Sequence, residues 1–336
     1  MRKKIISIIL RTLISVLLIV LLLYIMRDKY SDIVKAIKGM RPAVFGMSAA
    51  VFACAICVAS LRLKLLACAQ EKTDLAFAEA VSLSFIGYFF NNFLPTSIGG
   101  DVAKAYYLAR KTPNKTASFT AVFVDRAMGM FTMVFMAFAA LLFVHDGIVD
   151  ANVKTALYGI TAVTAAIIFF VMNKEFAKKF SFFLRLIEPF REKLANLYYA
   201  INRYRHHGGL IVKSVGISVI SQLLFFTSIG ILALSIGVRI PAISILLFMP
   251  IVSMMSLLPS VNGLGLREGA MVLLFGPLIG KENAFALGIL WLFVLIITSV
   301  AGGFVYLMSP QFRMPMKGLR KESTSPFAEK SSGGAS

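Results

Sequence analysis

The sequence predicts an all-α, polytopic membrane protein with about six long spans and two re-entrant helical hairpins arranged as an inverted repeat. Three observations carry that reading. Hydrophobic residues make up 58% of the chain and charged residues only 15%, with a mean hydropathy of +0.82, a balance that excludes an ordinary soluble domain. Positive charge is concentrated in particular connecting segments, and that bias sets membrane orientation. Two apolar runs, 164 residues apart, break off in nearly the same way: Leu94-Pro95-Thr96-Ser97-Ile98-Gly99-Gly100-Asp101 and Leu258-Pro259-Ser260-Val261-Asn262-Gly263-Leu264-Gly265.

The apolar runs fall at about 5–26, 43–67, 75–95, 117–144, 155–172, 212–237, 241–258, 264–280 and 284–308. Several reach the roughly 18–20 residues that cross about 30 Å of hydrocarbon. The first follows Arg2-Lys3-Lys4 but is too long for a signal peptide and has no small-residue cleavage site after it, so it reads as a retained span. The connector 173–213 holds nine Lys and Arg residues and is placed in the cytoplasm. The basic N-terminus and the tail with Arg313, Lys317, Arg320, Lys321 and Lys330 go with it. His145-Asp146-Gly147-Ile148-Val149-Asp150 is short and acidic, which suits the outside. Residues 27–41 conflict with the scheme, because five Lys and Arg lie in a segment that parity puts outside. Segment 173–210 interleaves Phe176, Phe180, Phe182 and Phe183 with basic residues and fits either an amphipathic helix on the inner leaflet or a soluble connector. Residues 1–309 form the membrane domain, and 310–336 read as a disordered cytoplasmic tail.

Parity constrains the two interruptions. Lys72 on one side and Arg110, Lys111 and Lys115 on the other flank 75–108 with positive charge, so this run enters from the cytoplasm, turns near 95–100 and returns. Residues 241–280 correspondingly enter and leave on the outside, turning near 259–265. Three spans separate the hairpins, and an odd number inverts the second unit, which gives repeats at about 5–144 and 155–308. A shift of 164 residues carries 43–67 onto 207–231, near the next predicted span. The alternative is that both breaks are Pro-Gly kinks in full spans, making six long spans and four short ones. Backbone that leaves a helix at membrane depth is tolerated only when buried in protein or lining a wet cavity. A matched pair of such breaks points to a transporter's central site.

Ionisable residues inside apolar runs each cost about 2.5–3.5 kcal/mol on insertion scales, so they need partners, water or a function. Asp101, Asp125, Arg126 and the pair Arg267-Glu268 stand out. Lys104 lies three residues from Asp101 and shares its helix face. Asp125 and Arg126 are adjacent, about 100° apart on a helix, so each is expected to reach a different neighbour, and the same holds for Arg267 and Glu268. The economical solution sends Arg126 toward Glu268 or Asp101 and Arg267 toward Asp125. The resulting cluster between the hairpin tips is either a brace or a grip for phosphate through the planar guanidinium fork. Helix N-termini at Gly100-Asp101 and Gly265-Leu266 add free N–H donors for the same anion, and Gly263 lets the backbone turn. Asn91, Asn92 and Asn262 line a polar cavity or bond to hairpin backbone. Together these are the candidate substrate-binding residues.

No catalytic residue, metal or cofactor is expected, since the sequence shows no zinc-binding His pair, nucleophile elbow or nucleotide cradle. Cys54, Cys57 and Cys68 read as small buried hydrophobes. The net charge of +19 reads as topogenic charge and attraction to anionic lipid, with no nucleic-acid partner.

On Asn91-Asn92-Phe93-Leu94-Pro95 through Gly99-Gly100-Asp101, on Asp125-Arg126-Ala127-Met128-Gly129, and on Pro259 through Gly263-Leu264-Gly265-Leu266-Arg267-Glu268, the chain resembles the lysylphosphatidylglycerol synthase transmembrane-region family, also described as flippase-like. The family pattern has Arg where Lys104 stands and Glu where Asp125 stands. Charge is kept at both, while lysine offers a point charge instead of a fork. The resemblance implies a compact member with the lipid-handling unit and without the soluble aminoacyl-transferase domain of larger members. It implies translocation of an anionic phospholipid, or of a polyprenyl-linked or other lipid-linked headgroup, between leaflets of the cell (inner) membrane. A membrane-embedded lipid-modifying transferase, or an accessory subunit partnering one, is the rival expectation.

Overall fold

Peptide groups in hydrocarbon have no water to bond, so long runs of Leu, Ile, Val, Phe and Ala close their hydrogen bonds within a helix. The computed structural model describes residues 13, 17, 20–22, 24, 26–70, 74–93, 99–111, 115–143, 151–172, 208–256, 263–309 and 312, and every regular element among them is helical. After a single 3₁₀ turn at Arg27–Lys29 come α1 (Tyr30–Lys38), α2 (Pro42–Gln70), α3 (Phe77–Phe93), α4 (Gly99–Ala109) and α5 (Lys115–Leu141). These are followed by α6 (Ala151–Met172), α7 (Gly208–Ser235), α8 (Ala242–Met255), α9 (Leu266–Ile279) and α10 (Lys281–Met308). The expectations for most of 5–26, for the tips at 94–98 and 257–262 (with Asn262), for 173–207 and for the tail from 313 lie outside the described residues.

Helix length sorts these elements. Among the described residues four helices, α2, α5, α7 and α10, are long and apolar enough to cross a membrane. Each has 27 to 29 residues, about 40 Å at 1.5 Å per residue. By contrast α3, α4, α8 and α9 have 17, 11, 14 and 14 residues. At roughly 16–26 Å they fall short of a ~30 Å hydrocarbon core. The order long, short, short, long therefore occurs twice, in α2–α5 and in α7–α10.

Contacts between the two sets are matched. The first long helices, α2 and α7, lie along each other, and α3 packs on α10 as α8 packs on α5. Within each set the short helices pair, and the second short helix rests on the closing long one. The α2–α7 seam is held by small polar residues: Ser48 Oγ donates to the Ser228 carbonyl at 2.8 Å, and Ser228 Oγ returns the bond to Ser48 at 2.9 Å. Ser221 Oγ donates to the Ala55 carbonyl at 3.0 Å, and Arg62 reaches Ser218. As residue numbers rise along α2 they fall along α7, so the two helices are antiparallel. Such small residues let helices approach closely where no hydrophobic force separates helix from lipid.

Close approach recurs where α10 crosses α3. A Cβ on Gly302 would overlap the Phe85 carbonyl oxygen, and beside the crossing Phe89 stacks on Tyr306 while Phe90 meets it edge-on. At one end of the bundle Lys111 pairs with Glu79 across the α3–α4 pair, and Phe312 packs on Tyr107. At the other end the Arg41 N–H donates to the Ser235 carbonyl at 2.9 Å, and Lys29 lies 3.8 Å from Glu282. Residues 27–41 lie at that second end. There α1 is amphipathic: Ile33 is buried with Met26 and Phe285, while Arg27, Lys29, Lys35, Lys38 and Arg41 stay exposed.

Substituting Gly302→Ala should lower the midpoint of thermal unfolding in detergent by several degrees, the effect of overpacking by about 1–3 kcal/mol. Gly46→Ala, where a Cβ meets nothing within 4 Å, should leave it unchanged or raise it slightly.

Candidate functional site

Two arginines and a ring of amides converge on one cavity of about 350 Å³ between the two sets of helices. Arg62 from α2 and Arg267 from α9 line it, with Asn91 and Asn92 from α3 and Gln222 from α7. One wall is aromatic: Phe52 meets Trp291 edge-on at 4.8 Å and Tyr88 at 5.7 Å, and Phe225 lies 5.5 Å from Trp291. Serines 221, 253 and 256 add hydroxyls to the lining.

Each arginine is neutralised in place. Arg62 Nε donates to Asp125 Oδ1 at 2.7 Å, and Nη1 donates to Ser218 Oγ at 2.7 Å, so one side chain ties α2 to α5 and α7. Gly129, one turn after Asp125, makes room for the guanidinium: a Cβ there would stand 3.2 Å from both terminal nitrogens. Gln222 Nε2 donates to the Gly129 carbonyl at 3.2 Å and closes that corner. A charge buried this deeply is tolerated only with a partner and satisfied donors.

Arg267 follows a different route. It bonds to its own neighbour, with Nη2 and Nε reaching Glu268 Oε1 at 2.5 and 3.1 Å. The expected link from Arg267 to Asp125 is therefore absent, and the helical-angle argument against an adjacent pair fails. The reason is local. Gly265, at φ 83°, opens α9, and Glu268 reaches back over the first turn so that Oε2 accepts the Gly265 N–H at 2.7 Å. That bend carries Oε1 beside the Arg267 guanidinium. Gly288 of α10 keeps the space clear, since a Cβ there would lie 3.3 Å from Glu268 Cγ.

The third group lies off the cavity wall. Arg126 pairs with Asp101, one of its two expected partners, and Lys104 Nζ stands 3.8 Å from the same carboxylate. Neither Asp101, Lys104 nor Arg126 is among the cavity-lining residues. At each of the two helix starts expected to face an anion, one N–H is used within the fold. The Gly100 N–H donates to Asn91 Oδ1 at 2.7 Å, and the Gly265 N–H goes to Glu268. Gly100 also rests on Gly87, whose carbonyl oxygen a Cβ would overlap. Gly263, at φ 77°, sits against Ser256 in the turn before α9, and Asn92 Nδ2 donates to the Leu295 carbonyl at 3.2 Å.

Arg62 is the residue sequence reasoning missed. It lies near the end of the run 43–67, where a long basic side chain ordinarily reaches the interface and attracts no notice. The signal that could have exposed it was Asp125, a buried acid in need of a cation. Each arginine gives two of its five N–H donors to these described partners, and both arginines line the cavity. Among the described residues no group of three or more His, Cys, Asp and Glu comes together to hold a metal.

The sequence profile of the family described as lysylphosphatidylglycerol synthase TM region matches residues 8–303. The chain belongs to that family. The match spans the first long-short-short-long set, all but the last turn of the second and every cavity-lining residue, and with the apolar helices it makes this family member a multi-pass membrane protein. No curated protein and no solved structure matches the chain.

Removing Asp125 alone strands Arg62. Asp125→Leu should cost about 3–5 kcal/mol, read as a fall in the thermal unfolding midpoint, whereas the double variant Arg62→Met/Asp125→Leu should lose clearly less.

Proposed function

We propose that the cavity receives the phosphate-bearing headgroup of an anionic lipid and passes it between leaflets while the acyl chains stay in the membrane. The observation that carries this reading is that Arg62 and Arg267, from opposite sets of helices, line one cavity. A guanidinium fork matches phosphate oxygens in a bidentate way. Asp125 and Glu268 keep the empty site neutral, and Asn91, Asn92 and Gln222 supply amides for the headgroup's hydroxyl and ester oxygens. The family's connection with an anionic phospholipid supports lipid as cargo. Arg126, a brace or a grip on sequence alone, is in this reading a brace between α4 and α5 through Asp101.

In the same reading α2–α5 and α7–α10 are inverted repeats, and the pairs α3–α4 and α8–α9 are re-entrant hairpins that meet from opposite leaflets. The antiparallel α2–α7 seam, the matched contacts and the shortness of the four paired helices support this. The basic segment 173–213 and the basic tail put the Lys111–Phe312 end, with both termini, in the cytoplasm. Rocking of one repeat against the other then exposes the headgroup site to each side in turn.

Leaflet exchange of labelled phosphatidylglycerol in proteoliposomes tests the function. Arg62→Lys and Arg267→Lys should slow exchange at least tenfold, because a point charge replaces a fork, while Arg126→Lys should slow it less. Exchange by the wild-type protein at the rate of empty liposomes would sink the reading. Topology has its own test: with native cysteines replaced, cysteines at Lys111 and Lys281 should react with impermeant reagents from opposite sides, and those at Glu79 and Lys111 from the same side.

A further inference from the structure

A second opening, of about 590 Å³, lies between α7 and α8 and has no part in the central cavity. The cavity uses Ser221, Gln222 and Phe225 of α7, whereas the groove uses Leu223, Phe226, Thr227, Gly230, Ile231 and Leu234. At about 100° per residue these two sets lie on opposite faces of the helix. On α8 the groove is walled by Ala242, Ile245 and Leu246. Leu223, Thr227 and Leu234 are exposed, so the groove opens away from the bundle.

Its dimensions select an occupant. From Leu223 to Leu234 the rise along α7 is about 16 Å, roughly half of a ~30 Å hydrocarbon core and so the depth of one leaflet. A helix of that length, about 10 Å across, displaces on the order of twice the groove's volume, whereas an extended hydrocarbon chain fits within it. The lining is apolar except for Thr227 and a single charge, Arg239.

The chain fixes that charge at the mouth. Gly237, at φ 79°, ends α7: its N–H donates to Leu234 and the Val238 N–H donates to Ala233, each at 3.1 Å. This pair of bonds is the Schellman cap, which satisfies the last carbonyls and sets the direction of the next residues. Arg239 follows directly, exposed and without an acidic partner among the described residues. Arg41 is also exposed and is tied through its backbone N–H to the Ser235 carbonyl at the same helix end. A cationic mouth thus tops an apolar slot one leaflet deep, a pattern complementary to an acyl chain with a phosphate at its head.

We propose that the α7–α8 groove binds one membrane phospholipid, with an acyl chain laid along α7 and its phosphate on Arg239. This lipid is distinct from one carried in the central cavity, although α7 and α8 wall both.

The test uses the full chain in phosphatidylcholine nanodiscs doped with phosphatidylglycerol that carries a photoreactive acyl chain, with adducts mapped by peptide mass spectrometry. Adducts should concentrate on Leu223, Thr227, Ile231 and Leu246. Arg239→Gln, at an exposed position, should lower them about fivefold while leaving adducts on α5 and α10 as they were. Gly230→Leu, which fills the slot, should lower them as well. A diacylglycerol carrying the same photoreactive chain should label the groove weakly and respond little to Arg239→Gln. Adducts spread evenly over lipid-facing helices would overturn the proposal, as would groove adducts unchanged in both variants. Equal labelling by the phosphate-free probe would overturn the phosphate contact.

Discussion

A guanidinium inside an apolar bundle has to bring its counter-charge with it, and the pairing of Arg62 with Asp125 is where this protein meets that demand. The pair joins α2 to α5, and the bond from Arg62 to Ser218 adds α7. Three long helices are thereby registered against one another at a single point. The serine bonds along the α2–α7 seam, the glycine at position 129 and the Gln222 bond to its carbonyl all fit around that junction. Without the carboxylate the arginine would be an uncompensated buried charge, which no packing gain at the site offsets.

Arg267 meets the same demand by different means. Its partner is adjacent in sequence and is held by the helix start, where Glu268 bonds the Gly265 N–H and the guanidinium together. The two arginines reach one cavity from opposite sets of helices, each already neutral with its carboxylate. Such a site can be empty without a large charge penalty and still offer N–H donors to an anion. At the helix starts, by contrast, the Gly100 and Gly265 N–H groups are bonded within the fold by Asn91 and Glu268.

Much of the helical architecture is legible in the sequence, because a helix is nearly the only answer to an apolar run in a membrane. The Leu-Pro-to-Gly breaks mark the short helix pairs, and the i, i+3 spacing of Asp101 and Lys104 gives their contact directly. Arg126 toward Asp101 was one of two pairings that charge economy allowed. The link from Arg267 to Asp125 was not found, because helical angles treat side chains as spokes, while a glutamate in the first turn folds back to cap the helix. Arg62 stayed hidden because a basic residue near a span's end looks the same whether it reaches the interface or turns inward.

The sequence by itself determined the material: helices, the places where they break, the buried charges, and the family to which their order belongs. Hydrophobicity and backbone hydrogen bonding act locally, so a linear reading captures them. Only the tertiary structure decided which acid faces which arginine and which of them reach the cavity. It also decided that α7 carries a polar cavity on one face and an apolar groove on the other. Those outcomes depend on helix rotation and on crossings at Gly100, Gly129 and Gly302, where contact between distant segments sets a side chain's surroundings.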